Sequence, residues 1–160
     1  VINKTIELAA HDYDLKKRYD FRNIQIIRSF ADDMPKVVCV GTELEQVMLN
    51  LLRNAAQALA EGKFGGSRSK ITLRLYQQNH LAVIEVEDNG PGMDEETRKR
   101  IFEPFFTTKG VGLGTGLGLS VAYFIVTNNH NGSMRVESTP QTGTRFVISL
   151  PVTRYEFVGL

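Results

Sequence analysis

The feature that most constrains the fold of this chain is a pair of neighbouring segments with two-residue periodicity. Apolar residues alternate with polar ones over 71–75, a short polar turn follows, and an apolar run returns over 81–86. This pattern predicts an antiparallel β-hairpin with a buried face. A second pair of segments, at 133–138 and 144–150, predicts another hairpin at the end of the domain.

Four further segments have helical spacing or a helical charge pattern, and two are rich in β-branched residues. The first group predicts helices over 2–18, 42–59, 94–101 and 117–127. The second group predicts short strands over 24–30 and 36–40. Helices and mostly antiparallel strands therefore mix in one unit. The expected fold is α+β, a two-layer sandwich with helices on one face of a mixed, mostly antiparallel sheet.

Composition excludes several classes of function. The 160 residues suit one domain, and 19 basic against 18 acidic residues give a net charge of +1, so we expect no nucleic-acid partner. The single cysteine, Cys39, cannot form an internal disulfide, and we expect a reducing, cytoplasmic location. No apolar run reaches the roughly 18 residues of a membrane helix, so we expect no direct membrane contact by this segment. The chain opens with Val1 inside a helical pattern, and we expect a piece of a longer protein.

Two asparagines on the longest predicted helix are candidate metal ligands. Asn50 and Asn54 are four residues apart, about 40° from each other around the helix axis, on the flank of the apolar stripe. At that position they line the rim of a cavity beside the core, where amide oxygens suit a hard cation such as Mg²⁺. Exposed helix asparagines are also common, so the pair alone leaves a surface role open.

The segment that follows the predicted strand at 81–86 has the residues of a purine pocket. Gly90 and Gly92 let the backbone approach a flat ligand, and the Asp88 carboxylate can accept a hydrogen bond from an exocyclic amine. This chemistry favours adenine, because guanine would turn a carbonyl oxygen toward the carboxylate. Asn-Gly is also an ordinary turn signal, so the segment alone leaves a plain loop open.

Glycine holds every second position from Gly110 to Gly118, with apolar residues between several of them, and the run leads into a predicted helix. A helix start offers unpaired N–H groups to phosphate. The spacing matches neither a Walker loop nor a Rossmann fingerprint. The preceding stretch contains three phenylalanines, which we expect mostly in the core. Pro104 breaks the predicted helix ahead of the glycine-rich run. This arrangement suits a mobile lid over a ligand, with Lys109 able to reach phosphate.

The histidines offer no competing catalytic site. His80 and His130 lie in polar surroundings without metal-ligand spacing, and we expect both at the surface. No G-x-S-x-G elbow is present, so a serine hydrolase is not supported.

Five segments together resemble the ATP-binding catalytic domain of bacterial sensor histidine kinases. They occur in that family's order and spacing, at 45–55, 88–93, 101–106, 112–120 and 142–146. The resemblance covers nearly the whole chain and implies the Bergerat α/β sandwich, shared with gyrase-type topoisomerases, heat-shock ninety chaperones and the MutL repair proteins. The stretch 105–109, Phe-Phe-Thr-Thr-Lys, resembles the nitrogen-regulation branch of the family.

The resemblance implies a site for ATP and Mg²⁺. In it, Asn54 binds the metal with Asn50 beside it as the catalytic pair, and Asp88 binds the adenine amine in a pocket shaped by Gly90 and Gly92. Further nucleotide contacts are implied along the glycine-rich run and near Gly143, in the last family motif. These residues are Lys109, Gly112, Gly114, Thr115, Gly116, Leu117, Gly118 and Thr144.

Gln57 departs from the pattern, since many relatives carry lysine there. The departure leaves open which side chain holds the phosphates, with Arg53 and Lys109 as alternatives.

The same resemblance implies transfer of the γ-phosphoryl group to a histidine on a separate helical-hairpin dimerisation domain of the parent protein, with a response regulator downstream. ATP-hydrolysing relatives place a glutamate at the position of Asn50, and a neutral amide cannot act as that base, so hydrolysis should be slow. His11 lies too close to Asn50 for the family's two long helices to fit between them. We therefore expect 1–160 to be the catalytic domain without its phosphoacceptor domain.

Two other functions stay open from the sequence. A protein-serine kinase of the anti-sigma-factor type shares this fold and would form phosphoserine. A regulatory module would bind nucleotide without transferring phosphate.

Overall fold

A computed structural model describes residues 1–11, 21–62, 68–108 and 115–152. Within these ranges there are four α-helices: α1 Ile2–His11, α2 Gly41–Glu61, α3 Glu95–Arg100 and α4 Gly118–Phe124. A π-helical turn, Ile125–Asn129, continues α4, and a 3₁₀ turn, Phe21–Asn23, precedes the first strand. The strands are β1 Gln25–Phe30, β2 Lys70–Gln78, β3 Leu81–Asp88, β4 Ser133–Ser138 and β5 Thr144–Pro151.

The five strands form one sheet in the order β1-β2-β3-β5-β4. The first two strands are parallel, and the other three pairs are antiparallel. Both predicted hairpins are confirmed, and their inner strands pair so that Asp88 stands opposite Thr144. This register brings two sequence motifs together at one end of the sheet.

The core lies between α2 and one face of the sheet. Eight residues of α2 are buried at helical spacing: Leu44, Val47, Met48, Leu51, Leu52, Ala55, Ala56 and Leu59. They share a hydrophobic cluster with every second residue of the central strands, such as Ile84, Val86 and Phe146. Burial of each large apolar side chain contributes about 1.5–3 kcal/mol. The predicted α+β sandwich, with helices on one side of a mostly antiparallel sheet, is confirmed.

The opposite face of the sheet has a different chemistry. Glu85 is buried there, accepts a hydrogen bond from the Tyr76 hydroxyl at 2.8 Å and pairs with Arg74 at 3.2 Å. These groups satisfy one another's hydrogen-bonding capacity across the strands.

The second predicted short strand is wrong. Residues 36–40 follow Pro35 as irregular chain leading into α2, without a strand partner. Val37 and Cys39 pack against the core while Val38 and Val40 are 74% and 52% exposed, so the alternation that resembles a strand reflects one-sided packing alone.

The other predicted elements shift only at their ends. The first helix is described as far as His11, which is exposed, and the predicted continuation to residue 18 lies outside the described residues. The helix predicted over 117–127 begins one residue later and widens into the π turn. In α3, the Asp94 carboxylate caps the helix by accepting from the Thr97 N–H at 2.8 Å. Among the described helices, none is both long and apolar enough to cross a membrane.

The core position expected for the three phenylalanines holds only in part. Phe102 packs against the core, and Phe106 is partly buried, with the Arg100 guanidinium 4.5 Å from its ring centre. Phe105 is 73% exposed, which contradicts the prediction. Its φ of 64° places it in a left-handed turn, held by a 2.9 Å bond from its N–H to the Gly116 carbonyl. That backbone conformation directs the ring away from the core.

Candidate functional site

The asparagines of α2 lie beside the start of α4. Asn50 donates from Nδ2 to the Gly118 carbonyl at 3.0 Å, across 68 residues of sequence, and both Asn50 and Asn54 are partly buried. Because the carbonyl is an acceptor only, the amide nitrogen of Asn50 must face it. The oxygen of the same amide is therefore left to accept from a ligand or to bind a cation.

The Asp88 carboxyl group is the buried acid of the site. Its residue is 3% exposed, and Oδ1 accepts from the Gly90 N–H at 2.8 Å. A Cβ on Gly90 would lie 2.7 Å from that oxygen and 3.5 Å from the Ala58 side chain, so the acid lies next to the second half of α2. Burial raises the pKa of Asp88 to about 6, although N–H groups of Gly90 and Thr144 favour its ionised form.

Two glycines join the turn after β3 to the turn between β4 and β5. Gly92 and Gly143 have φ values of 69° and 87°. A Cβ on Gly92 would overlap the Thr139 carbonyl oxygen, and one on Gly143 would overlap the Asp88 carbonyl oxygen. The two backbones therefore touch where only glycine fits, and this contact fixes the position of Asp88.

A serine that the sequence reasoning missed holds the same two turns together. Ser138 Oγ accepts from the Met93 N–H at 3.0 Å and donates to the Gly143 carbonyl at 2.9 Å. It also lies 2.9 Å from the Thr144 hydroxyl. No local pattern marks a serine at the end of a strand as important, because its Met93 partner lies 45 residues earlier in the chain.

The start of α4 is described from Thr115 onward. Thr115 is exposed, and its hydroxyl accepts from the Leu117 N–H at 3.3 Å. Gly116 has a φ of 69° and would clash with Phe105 if it carried a Cβ. Gly118 opens the helix next to Asn50. Lys109, Gly112 and Gly114, which the sequence implied as nucleotide contacts, lie outside the described residues.

His130 contradicts the surface position expected from its polar neighbours. Its side chain is only 4% exposed. Nε2 accepts from the Val40 N–H, and Nδ1 lies against the Ile125 carbonyl, both at 3.0 Å. The π turn before it accounts for the difference, because the turn directs the ring inward in a way that local polarity does not reveal.

The candidate metal ligands of the site are amide oxygens, which suit a hard cation. Within 1–11, 21–62, 68–108 and 115–152, no cluster of three His, Cys, Asp or Glu side chains is close enough to hold a metal. The amide oxygen of Asn50 is oriented away from Gly118 by its hydrogen bond, and Asn54 follows one turn later. Amide oxygens with phosphates and water suit Mg²⁺.

Comparisons with known proteins identify the family of the chain. Residues 39–154 match the family described as histidine kinase-, DNA gyrase B-, and HSP90-like ATPase. Sporulation kinase E of Bacillus subtilis is 37% identical over 152 residues, 95% of this chain and 19% of its own length. The signal transduction histidine-protein kinase AtoS of Escherichia coli is 44% identical over 110 residues, 68% of this chain and 17% of its own length.

The fold of the chain is similar to a solved catalytic domain. The catalytic domain of histidine kinase ThkA, in a nucleotide-free form, matches with a TM-score of 0.73 and 29% identity over 95% of both chains. The chain spans about a fifth of the length of the two curated relatives. It therefore belongs to the histidine kinase-, DNA gyrase B-, and HSP90-like ATPase family, and within that family it is similar to the ATPase domains of sensor histidine kinases.

Proposed function

We propose that the chain binds ATP with Mg²⁺ and transfers the γ-phosphoryl group to a histidine on the dimerisation domain of its parent protein. A response regulator would receive the phosphoryl group next. The observation that carries the proposal is that α2 meets both groups: Asn50 donates to the Gly118 carbonyl, and a Cβ on Gly90, whose N–H donates to Asp88, would lie 3.5 Å from the Ala58 side chain, about two turns further along the helix. They supply an acceptor for the base and polar groups for the phosphates.

The base end of the proposed site is built around Asp88. Its carboxylate accepts a hydrogen bond from the exocyclic amine of adenine, while Gly90 and Gly92 keep the neighbouring backbone free of side chains. Thr144 stands opposite Asp88 across the sheet and is itself buried. The carboxylate is held by backbone donors, so it does not need to reorganise when the amine arrives.

The phosphate end is built by Asn50, Asn54 and the start of α4. When bound, Mg²⁺ would offset the negative charge that builds up on the phosphates during transfer. Asn54 and Asn50 would hold it through amide oxygens, and N–H groups near Thr115, Gly116 and Leu117 would bind phosphate oxygens. Arg53, partly buried on α2, and Lys109 are the candidates for the cationic role that Gln57 leaves open.

Affinity for adenine should fall as pH falls through about 6. Asp88 has a pKa near 6 in the folded chain against an ordinary 3.8, so below pH 6 it is increasingly protonated and becomes a poorer acceptor. At pH 5 we expect adenosine to bind about tenfold more weakly than at pH 7. Adenosine carries no phosphate to titrate, and an NMR titration measures its affinity directly.

The same pKa predicts the opposite pH dependence for the stability of the chain without ligand. Ionising a buried acid opposes folding, so the contribution of Asp88 to stability is largest below about pH 4 and is lost as pH rises through about 6. Asp88→Asn should lose both pH dependences. An adenosine affinity in the native chain that stays flat from pH 5 to pH 7 would contradict the role given to Asp88.

Asn50→Glu should raise ATP hydrolysis, because a carboxylate in place of the amide can deprotonate water. A well-placed general base raises a rate by about 10²–10⁴. We expect a smaller rise here, of at least about tenfold, because the glutamate also loses the hydrogen bond to the Gly118 carbonyl. Phosphate release measures the rate. Asn50→Gln is the matched control, with the same length and no base, and equal rates in the two variants would refute the prediction.

Phosphotransfer is tested by mixing the chain with the histidine-bearing domain of its parent protein and labelled ATP. We expect acid-labile label on that domain, and none when its histidine is replaced. Acid-stable label on serine would identify the anti-sigma-factor type of kinase. Nucleotide binding without any label would identify a regulatory module.

Three finer assignments belong to the same proposal. The Phe-Phe-Thr-Thr-Lys stretch at 105–109 and Gln57 favour the nitrogen-regulation branch of sensor kinases. The single free Cys39 favours a reducing, cytoplasmic location. Residues 1–160 would form one catalytic unit, with the phosphoacceptor on a separate domain.

A further inference from the structure

We propose that His130 is a positioning residue that sets the spacing of α2 and α4 at the phosphate end of the site. The inference rests on the proposed function, because it assumes that Asn50, Asn54 and Gly118 face the phosphates. No step of that function uses His130, and its side chain is nevertheless 4% exposed with a partner on each ring nitrogen.

The partners of His130 require one state of the ring. The Val40 N–H can only donate, so Nε2 must accept its 3.0 Å bond, and the Ile125 carbonyl can only accept, so Nδ1 must donate. The bridge therefore needs a neutral imidazole protonated at Nδ1. Val40 is the residue at the N-terminal cap of α2, and Ile125 begins the π turn that ends α4.

The bridge attaches the same two helices at a second point. Asn50 and Gly118 form the first, and Val40 lies ten residues before Asn50, about 15 Å along the helix. One attachment would let α4 rotate about that point. A second attachment at the far end prevents this rotation, and apolar packing between the helices is not directional enough to do the same.

The neighbours of the bridge reinforce its placement. Asn129 donates from Nδ2 to the Glu43 carboxylate at 3.0 Å, and the other oxygen of Glu43 lies 3.9 Å from Nδ1 of His130. The end of α4 is thus tied to the first turn of α2 by side chains from two consecutive residues. Asn129 ends the π turn, and His130 is the residue at its C-terminal cap.

The test separates the phosphate end of the site from the base end. His130→Phe keeps a ring but removes both hydrogen bonds, and we expect Mg-ATP to bind about tenfold more weakly while adenosine affinity changes less than twofold. His130→Gln can still accept from the Val40 N–H, and Mg-ATP affinity should stay within about threefold of the native value. Calorimetry measures the first ligand and NMR titration the second.

Val83→Ala is the control for general loss of stability. Val83 is buried on the face of the sheet away from the helices, so its truncation destabilises the fold without touching α2 or α4. We expect it to leave both affinities unchanged. If His130→Phe binds Mg-ATP as Val83→Ala does, or loses both ligands equally, the positioning role is wrong.

A third measurement needs no variant and no nucleotide. Ring-nitrogen chemical shifts of His130 in the native chain should show protonation at Nδ1 and a bare Nε2. A ring protonated at Nε2 would overturn the bridge even if His130→Phe fails to fold. Failure of the native chain to bind Mg-ATP would instead contradict the proposed function, and the two failures are therefore distinguishable.

Discussion

Asp88→Asn should weaken ATP binding by about 30- to 150-fold and remove the preference for ATP over GTP. The carboxylate accepts from backbone N–H groups and still has lone pairs for the adenine amine, whereas an amide has one acceptor oxygen and one donor nitrogen. The amide nitrogen would then face either a backbone N–H or the amine of the base. Loss of a charge-assisted bond with an unsatisfied donor costs about 2–3 kcal/mol.

Calorimetry with ATP and with GTP measures the effect, and Glu87→Gln is the control. Glu87 is the preceding acid, which points to the other face of the sheet and pairs with Arg74. The negative charge of Glu87 also raises the pKa of Asp88. Removing that charge favours the ionised form of Asp88, so Glu87→Gln should leave binding intact. Retention of native ATP affinity by Asp88→Asn would show that adenine lies elsewhere.

Gly143→Ala should cause the largest loss of stability among single substitutions in the site. Its φ of 87° is unfavourable for alanine, at about 1–2 kcal/mol, and the new Cβ would overlap the Asp88 carbonyl oxygen. Moving that backbone would disturb the pairing of β3 and β5, and we expect a total cost of about 3 kcal/mol or more. Denaturant unfolding measures it, and ATP affinity should fall in parallel because Asp88 moves.

Gly41→Ala is the matched glycine control. A Cβ on Gly41 would meet no atom within 4 Å, and the residue begins α2, where alanine is favourable. We expect its stability to equal or slightly exceed that of the native chain. Similar losses in Gly41→Ala and Gly143→Ala would mean that the contact between the two turns does not hold the site.

Periodic segments were predictable because a buried face forces its pattern on the sequence. The helix expected over 42–59 is observed as Gly41–Glu61, and both hairpins have the expected partners. The irregular chain at 36–40 was not predictable, since Val37 and Cys39 pack inward as strand residues do. Only pairing with a neighbouring strand distinguishes a β-strand from such an irregular segment. The spacing of apolar residues does not show whether a neighbouring strand is present.

The site could be predicted where neighbouring residues carry the chemistry. The Asp88 turn was found from an acid followed by two glycines. The bond between Asn50 and Gly118 joins residues 68 apart, and Ser138 and His130 have partners 45 and 90 residues away. His130 in particular lies among asparagines that suggest a surface, and only the π turn directs its ring inward.

The most direct test of the proposed site is a crystal structure of the chain with a non-hydrolysable ATP analogue and Mg²⁺. We expect the adenine amine within hydrogen-bond distance of the Asp88 carboxylate, the metal on the Asn54 amide oxygen, and phosphate oxygens at the start of α4. An analogue bound at another surface, or a base that makes no contact with Asp88, would contradict it.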